Sequence, residues 1–322
     1  MNAIEVKHIS KRYGATMALD DCSFNVPKGA LYGLIGPDGT GKTTMFRILA
    51  TLLLPDSGTA TIDGYDTVND MRAIRRRLGY MPGRFSLYQD LTVEENLRFF
   101  ATLFGTTIEE GYDDIKDIYG QIEPFKRRRA GALSGGMKQK LALCCALIHK
   151  PKVLLLDEPT TGVDVVSRKE FWEMLKKLKA QGISILVSTP YMDEASLCDR
   201  IALMQAGKIL STSTPEQIIA DYPTTLYAVK APDLYALLQH LRQKPEIDSC
   251  YPFGEYLHLT LKEATNPHQF EQQLTHVTLK ENTNIPIFEQ QLKTTFPHLE
   301  WKAITPTIED SFIRLMEEKG NI

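Results

Sequence analysis

No apolar run in the chain approaches the roughly eighteen residues that a membrane-spanning helix needs. The most apolar stretches, Ile48 to Leu54 and Leu141 to Ile148, read instead as buried helix faces. The opening residues Met1-Asn2-Ala3-Ile4-Glu5 lack the basic and apolar regions of a signal peptide. The expectation is a cytoplasmic protein, peripheral to any membrane it serves. Cysteine is sparse: Cys22, Cys144, Cys145, Cys198 and Cys250 form no Cys-x-x-Cys pair and no spaced framework. Such usage suits a reducing compartment, with thiols buried as small apolar groups. Basic excess is also missing, since 37 Lys and Arg face 40 Asp and Glu for a net charge of -3. That balance argues against a nucleic-acid partner.

What is present fits a soluble globular protein of 322 residues, enough for one large and one small domain. Residues 1–220 alternate strand-like and helix-like patterns, which predicts an α/β domain around a central mixed sheet. Ile4, Val6 and His8 alternate as a half-buried strand. Leu31 to Ile35, Val153 to Leu156 and Ile183 to Val187 read as strands buried on both faces. The periodicity predicts helices over Lys42 to Leu53 and over Ser167 to Lys179, the latter ended by Gly182. Thr92 with Glu95 spells a capping box before a helix reaching Phe104, and about 84–150 reads as a largely helical insertion. Residues 221–322 change character, with more Gln, Thr and His, and predict a small α+β accessory domain. Within it, Leu259 to Leu274 and Val277 to Leu292 repeat at an offset of 18 residues, both ending Phe-Glu-Gln-Gln-Leu. They read as two strand-helix units. Glu309 to Met316 looks like a closing amphipathic helix.

Three segments carry chemistry. Gly36-Pro37-Asp38-Gly39-Thr40-Gly41-Lys42-Thr43-Thr44 satisfies GxxxxGK[ST] between a strand and a helix. Glycines at 36, 39 and 41 let successive amides form a concave phosphate nest, and the helix start adds its positive dipole end. Lys42 is placed for β- and γ-phosphates, the Thr43 hydroxyl for Mg²⁺ and Thr44 for the α-phosphate. The second segment, Val153 to Pro159, is an apolar strand ending in Asp157-Glu158. Alone it could be a strand meeting a surface turn. Beside a P-loop, Asp157 is placed to hold Mg²⁺ through water and Glu158 to polarise an attacking water. The third, Leu133-Ser134-Gly135-Gly136-Met137-Lys138-Gln139, opens a helix with exposed amides and a hydroxyl, a second anion site.

Taken together, these three segments resemble ATP-binding cassette proteins across residues 1 to about 220. The resemblance implies an ATPase using MgATP, working beside a transmembrane permease and a second cassette as a homo- or heterodimer. It implies that Tyr13 stacks on adenine and that Asp164 communicates between paired cassettes. It further implies that Ser134, Gly135 and Gly136 cap the γ-phosphate held by the partner's P-loop. Phe85 to Asn96 resembles the segment that meets the permease. The ending Thr305 to Phe312 is similar to tails of ABC-2-type exporter subunits.

Two positions depart from the family pattern. Gly83 stands where a Gln touches Mg²⁺ and water, and Pro190 stands where a His contacts the γ-phosphate. Both losses fall in the chain's own site, while the segment offered to a partner is intact. Three readings stay open: an exporter subunit, a regulatory nucleotide-binding module with little hydrolysis, and a soluble cassette outside transport. The last is disfavoured by the absence of paired cassettes in one chain or long coiled coils.

Overall fold

The computed structural model describes residues 1–83, 87–262, 284–296 and 298–318. In chain order the strands begin with β1 (Asn2–Tyr13), β2 (Thr16–Pro27), β3 (Leu31–Ile35), β4 (Ser57–Ile62), β5 (Tyr65–Asp66) and β6 (Leu78–Met81). There follow β7 (Val153–Asp157), β8 (Ser184–Thr189), β9 (Arg200–Gln205) and β10 (Lys208–Ser213). The last are β11 (Leu226–Lys230), β12 (Ile247–Phe253), β13 (Tyr256–Leu261) and β14 (Glu300–Ile304).

Contacts divide the chain into two units, Met1–Ala220 with Ile308–Ile322, and Asp221–Thr307. In the first, an antiparallel sheet β2-β1-β4-β5 accompanies a six-stranded sheet β10-β9-β3-β8-β7-β6. The six-stranded sheet is parallel except for β10. Every residue of β3, β7 and β8 is buried, as uninterrupted apolar runs require when helices cover both faces. Register then fixes the site. Ile35 pairs with Thr189 and Asp157 with Ser188, so three strands deliver their carboxyl ends side by side.

Local chemistry explains several helix starts among the described residues. Thr92 and Glu95 form both bonds of the expected capping box before Val93–Leu103, and Thr107 with Glu110 does the same before Ile108–Tyr119. The P-loop helix spans Lys42–Leu49 and stops short of Leu53. Thr51 takes a left-handed φ of 59° after it, leaving Leu52 and Leu54 exposed rather than buried. His8 breaks the alternation of β1: it has φ 52°, and the register with β2 shifts between Val6 and Ile9, so Ile9 is the next residue inward. The cysteines behave as core: Cys144, Cys145 and Cys198 are buried, and burial pushes the Cys22 thiol up to about 11. No helix among the described residues is long and apolar enough to cross a membrane.

The closing helix, Ile308–Glu318, belongs to the first unit and not to the appendage. Its Ile308 and Phe312 are buried in the same core as Leu210 and Ile218, and the Ser311 hydroxyl donates to the Ile218 carbonyl at 3.3 Å. Composition changes at one boundary, whereas the chain crosses between units twice. Truncation after Ala220 is therefore expected to lower stability, and Phe312→Ala alone to cost about 3–5 kcal/mol by emptying its site. Urea unfolding checks this; a midpoint equal to that of the full chain would contradict it.

The second unit reads β11, helix Leu234–Arg242, β12, β13, helix Asn284–Thr295 and β14 among the described residues. Its antiparallel sheet has the order β12-β13-β11-β14, a split β-α-β arrangement of ferredoxin-like type. Most of the duplicated segment lies outside the described residues. Within them, Leu259 belongs to β13, and Leu292 is buried on the second helix.

Candidate functional site

The P-loop runs from the end of β3 into Lys42–Leu49 with left-handed glycines at 39 (φ 80°) and 41 (φ 103°). Side chains are barred where the loop meets its neighbours. A Cβ on Gly36 would lie 2.2 Å from the Met204 carbonyl oxygen, and one on Gly41 would lie 2.3 Å from that of Ala18. Thr40 closes the turn by donating to the Pro37 carbonyl at 3.0 Å. Pro37, Asp38 and Gly39 stay exposed, leaving that arc of the loop open to a ligand. Thr44 is the third residue of the helix.

Lys42 is 3% exposed and folds back onto its own loop. Its Nζ donates to the carbonyls of Gly36 at 2.8 Å and Pro37 at 2.9 Å, and lies 3.2 Å from Glu158 Oε1. Asp38 Oδ1 lies farther off, 4.0 Å from the same Nζ. The Thr43 hydroxyl donates to Asp157 Oδ1 at 3.3 Å. Such an oxygen pair suits a hard divalent cation completed by phosphate and water. Among the described residues no group of three or more His, Cys, Asp or Glu could hold a metal by itself. Burial, and then the Asp157 carboxylate, push the nearby Tyr80 phenol up to about 12.

Ser188 holds the two acids apart in role. Its hydroxyl donates to Asp157 Oδ1 at 2.8 Å and accepts from the Glu158 amide at 2.9 Å. Glu158 itself adopts a left-handed φ of 52°, a costly conformation for a residue with a side chain, as strained functional positions often show. Gly83 stands directly beside this pair: a Cβ there would lie 2.9 Å from the Asp157 carbonyl oxygen and 3.9 Å from Glu158 Cβ. Pro190 follows Thr189, whose carbonyl accepts the Gly36 amide at 3.3 Å. Tyr13 lies near the tip of the β1–β2 hairpin, 45% exposed, and β2 passes the P-loop at Ala18.

The Ser134 and Asp164 segments form a second cluster. Ser134 caps helix Gly135–Leu147 by accepting the Met137 amide at 3.3 Å, and Asp164 caps Val165–Ala180 by accepting the Ser167 amide at 3.0 Å. These helix starts touch, since a Cβ on Gly136 would lie 2.5 Å from the Ser167 hydroxyl oxygen and one on Gly135 would lie 3.5 Å from the Gly162 carbonyl oxygen. Ser188, Thr189, Thr160, Arg168 and Glu194 were not flagged by sequence. Only the Ser188-Thr189 pair at the end of an apolar strand offered a signal.

Residues 19–161 match the ABC transporter family. The chain is 36% identical over 259 residues to Nod factor export ATP-binding protein I of Burkholderia lata, covering 77% of this chain and 85% of that protein. It belongs to the ATP-binding cassette family. A second relative of the cassette is the probable multidrug ABC transporter ATP-binding protein YbhF of Escherichia coli (strain K12), 38% identical over 304 residues. That match covers 93% of this chain but 49% of the relative, so the chain spans about half of that protein's length. In three dimensions it is similar to a solved ATP-binding subunit of an ABC transporter, with a TM-score of 0.62 and 30% identity, covering 68% of this chain and 93% of that one. Domains of this family are ATPases. Of the segment Phe85 to Asn96, expected to meet a permease, Phe85 and Ser86 lie outside the described residues, whereas Asn96 is buried and bonds back to Tyr88.

Proposed function

We propose that the chain is the ATP-binding subunit of an exporter, working against a separate permease on the cytoplasmic face of a membrane, with a hydrolytic site of its own that is slow. The observation that carries the slow site is the placement of Gly83 and Pro190 around an otherwise complete set of Lys42, Thr43, Asp157 and Glu158. In this reading Lys42 leaves Glu158 for the β- and γ-phosphates when nucleotide enters. Thr43 and Asp157 take Mg²⁺, which neutralises phosphate charge, and Thr44 donates to the α-phosphate. The amides of residues 38 to 41, with Thr40 bracing the turn, wrap the phosphate chain, and Tyr13 stacks on adenine. Glu158, freed from Lys42, polarises the attacking water. Proline offers no donor, and glycine has no side chain, so water and γ-phosphate lack two positioned partners.

Ser134, Gly135 and Gly136 meanwhile present a capped helix start to the nucleotide of a partner cassette, with Asp164 beside them. A homodimer then has two slow sites, and a heterodimer with an intact partner has one slow and one fast. The names of the relatives support export, and the absence of a spanning helix among the described residues agrees with a separate permease. Purification of the full chain from detergent-solubilised membranes should retain a polytopic membrane protein in fixed ratio. Recovery of the chain without any such protein, or bound to ribosomes, would contradict the transport reading.

A further inference from the structure

Glu194 is 2% exposed, and both of its oxygens are engaged. Oε2 accepts from the Thr189 hydroxyl at 2.5 Å and from the Thr160 hydroxyl at 3.1 Å. Oε1 accepts from Arg168 Nε at 3.1 Å and lies 3.0 Å from Nη2 of the same guanidinium. A buried ion pair adds little stability over a packed apolar pair, so its fixed geometry calls for another explanation.

The geometry around Pro190 supplies one. The Thr189 hydroxyl that donates to Glu194 also accepts the Tyr191 amide at 3.1 Å, and the Arg168 guanidinium sits 4.2 Å over the Tyr191 ring. Both neighbours of Pro190 are thus held by this one ion pair. Through its carbonyl, Thr189 reaches the first P-loop glycine. On the other side, Arg168 stands one residue after Ser167, on the turn capped by Asp164 and packed against Gly136. Thr160 follows Glu158 by two residues, so the loop after the acids joins the same carboxylate.

We infer that Arg168 and Glu194 are positioning residues that lock the Pro190 segment to the helix opened by Asp164, so that docking of a second cassette on the Ser134–Asp164 face is transmitted to the γ-phosphate end of this chain's own P-loop. The inference rests on the reading of that face as a partner surface. With proline in place of a donor side chain, the segment acts through its backbone and through Thr189, which makes its placement depend on this ion pair.

The test uses the full chain and its Arg168→Ala, Arg168→Lys, Glu194→Gln and Arg168→Ala/Glu194→Gln variants. Single-turnover hydrolysis is followed by rapid quench at rising chain concentration, MgATP affinity by calorimetry and stability by urea unfolding. Each of Arg168→Ala and Glu194→Gln should slow hydrolysis about tenfold at saturating ATP, while Kd moves less than about threefold. The double variant should be no slower than either single one, as expected of groups acting as a unit. Arg168→Lys keeps the charge but not the fork, and should recover only part of the rate. The parent's rate should rise with chain concentration and the variants' rates should not. Rates within twofold of the parent, or losses that add in the double variant and track the urea midpoint, would overturn the inference. Arg168 reaches the surface, 21% exposed, so Arg168→Ala carries the test if Glu194→Gln fails to fold. Each comparison is a ratio to the parent. A fast parent would overturn the slow-site reading alone, and unchanged ratios would overturn the positioning role alone.

Discussion

Lys42→Ala is expected to abolish useful MgATP binding, raising Kd by at least about a hundredfold. A charge-assisted hydrogen bond is worth roughly 1.5–3 kcal/mol, and Lys42 can make two to the β- and γ-phosphates. The gain is not free, because Lys42 must first release the Gly36 and Pro37 carbonyls and the Glu158 carboxylate. The net loss then sits near 3 kcal/mol, which is about a hundredfold in Kd. The fold should survive, since Pro37 lies on the exposed arc of the loop and Glu158 reaches water, which leaves only the buried Gly36 carbonyl to lose the Lys42 donor. Calorimetry on the folded variant is the check. Retained micromolar affinity would mean that the amide nest alone holds the triphosphate and that Lys42 has been misassigned.

The second large effect is a gain. Gly83→Gln with Pro190→His should speed hydrolysis by about one to two orders of magnitude, the value of one contact made mainly in the transition state. The two substitutions should not contribute alike. Residue 83 does not have a left-handed backbone, so nothing in its conformation demands glycine. The obstacle is space: a Cβ there meets the Asp157 carbonyl oxygen at 2.9 Å, which is backbone and cannot swing aside. Gly83→Gln alone should therefore gain little until the loop shifts. Pro190→His alone should give the larger share, because Thr189 and Tyr191 already hold that position. Steady-state phosphate release separates these outcomes. Equal rates in the parent and the double variant would show that other groups stand in for both missing side chains.

What could be read in the sequence follows from the physics of each feature. A phosphate nest needs glycine at fixed spacing, so Gly36, Gly39 and Gly41 announced the P-loop, and the structure shows neighbouring carbonyls that forbid side chains at two of them. The acids after Val153–Leu156 were legible because a strand buried on both faces cannot carry charge except at its end. Caps were legible because they are local, as at Thr92 and Glu95. Features set by distant pairing were not. His8 turns out because β1 and β2 slip register, which no single-strand pattern records. The return of Ile308 and Phe312 to the first core depends on where β14 ends. Nothing local to Glu194 marks it, and only the fold brings Thr160, Arg168 and Thr189 around it.

In the proposed function this chain clamps MgATP in a site that turns over slowly. Rapid-quench single-turnover hydrolysis by the unmodified full chain at saturating MgATP tests it most directly, with Glu158→Gln as the reference. The expected result is tight nucleotide binding with hydrolysis that stands clearly above that of the Glu158→Gln variant yet is slower than that of the Gly83→Gln/Pro190→His variant by about one to two orders of magnitude. Fast hydrolysis by the unmodified chain, unchanged by those two substitutions and lost in Glu158→Gln, would contradict it.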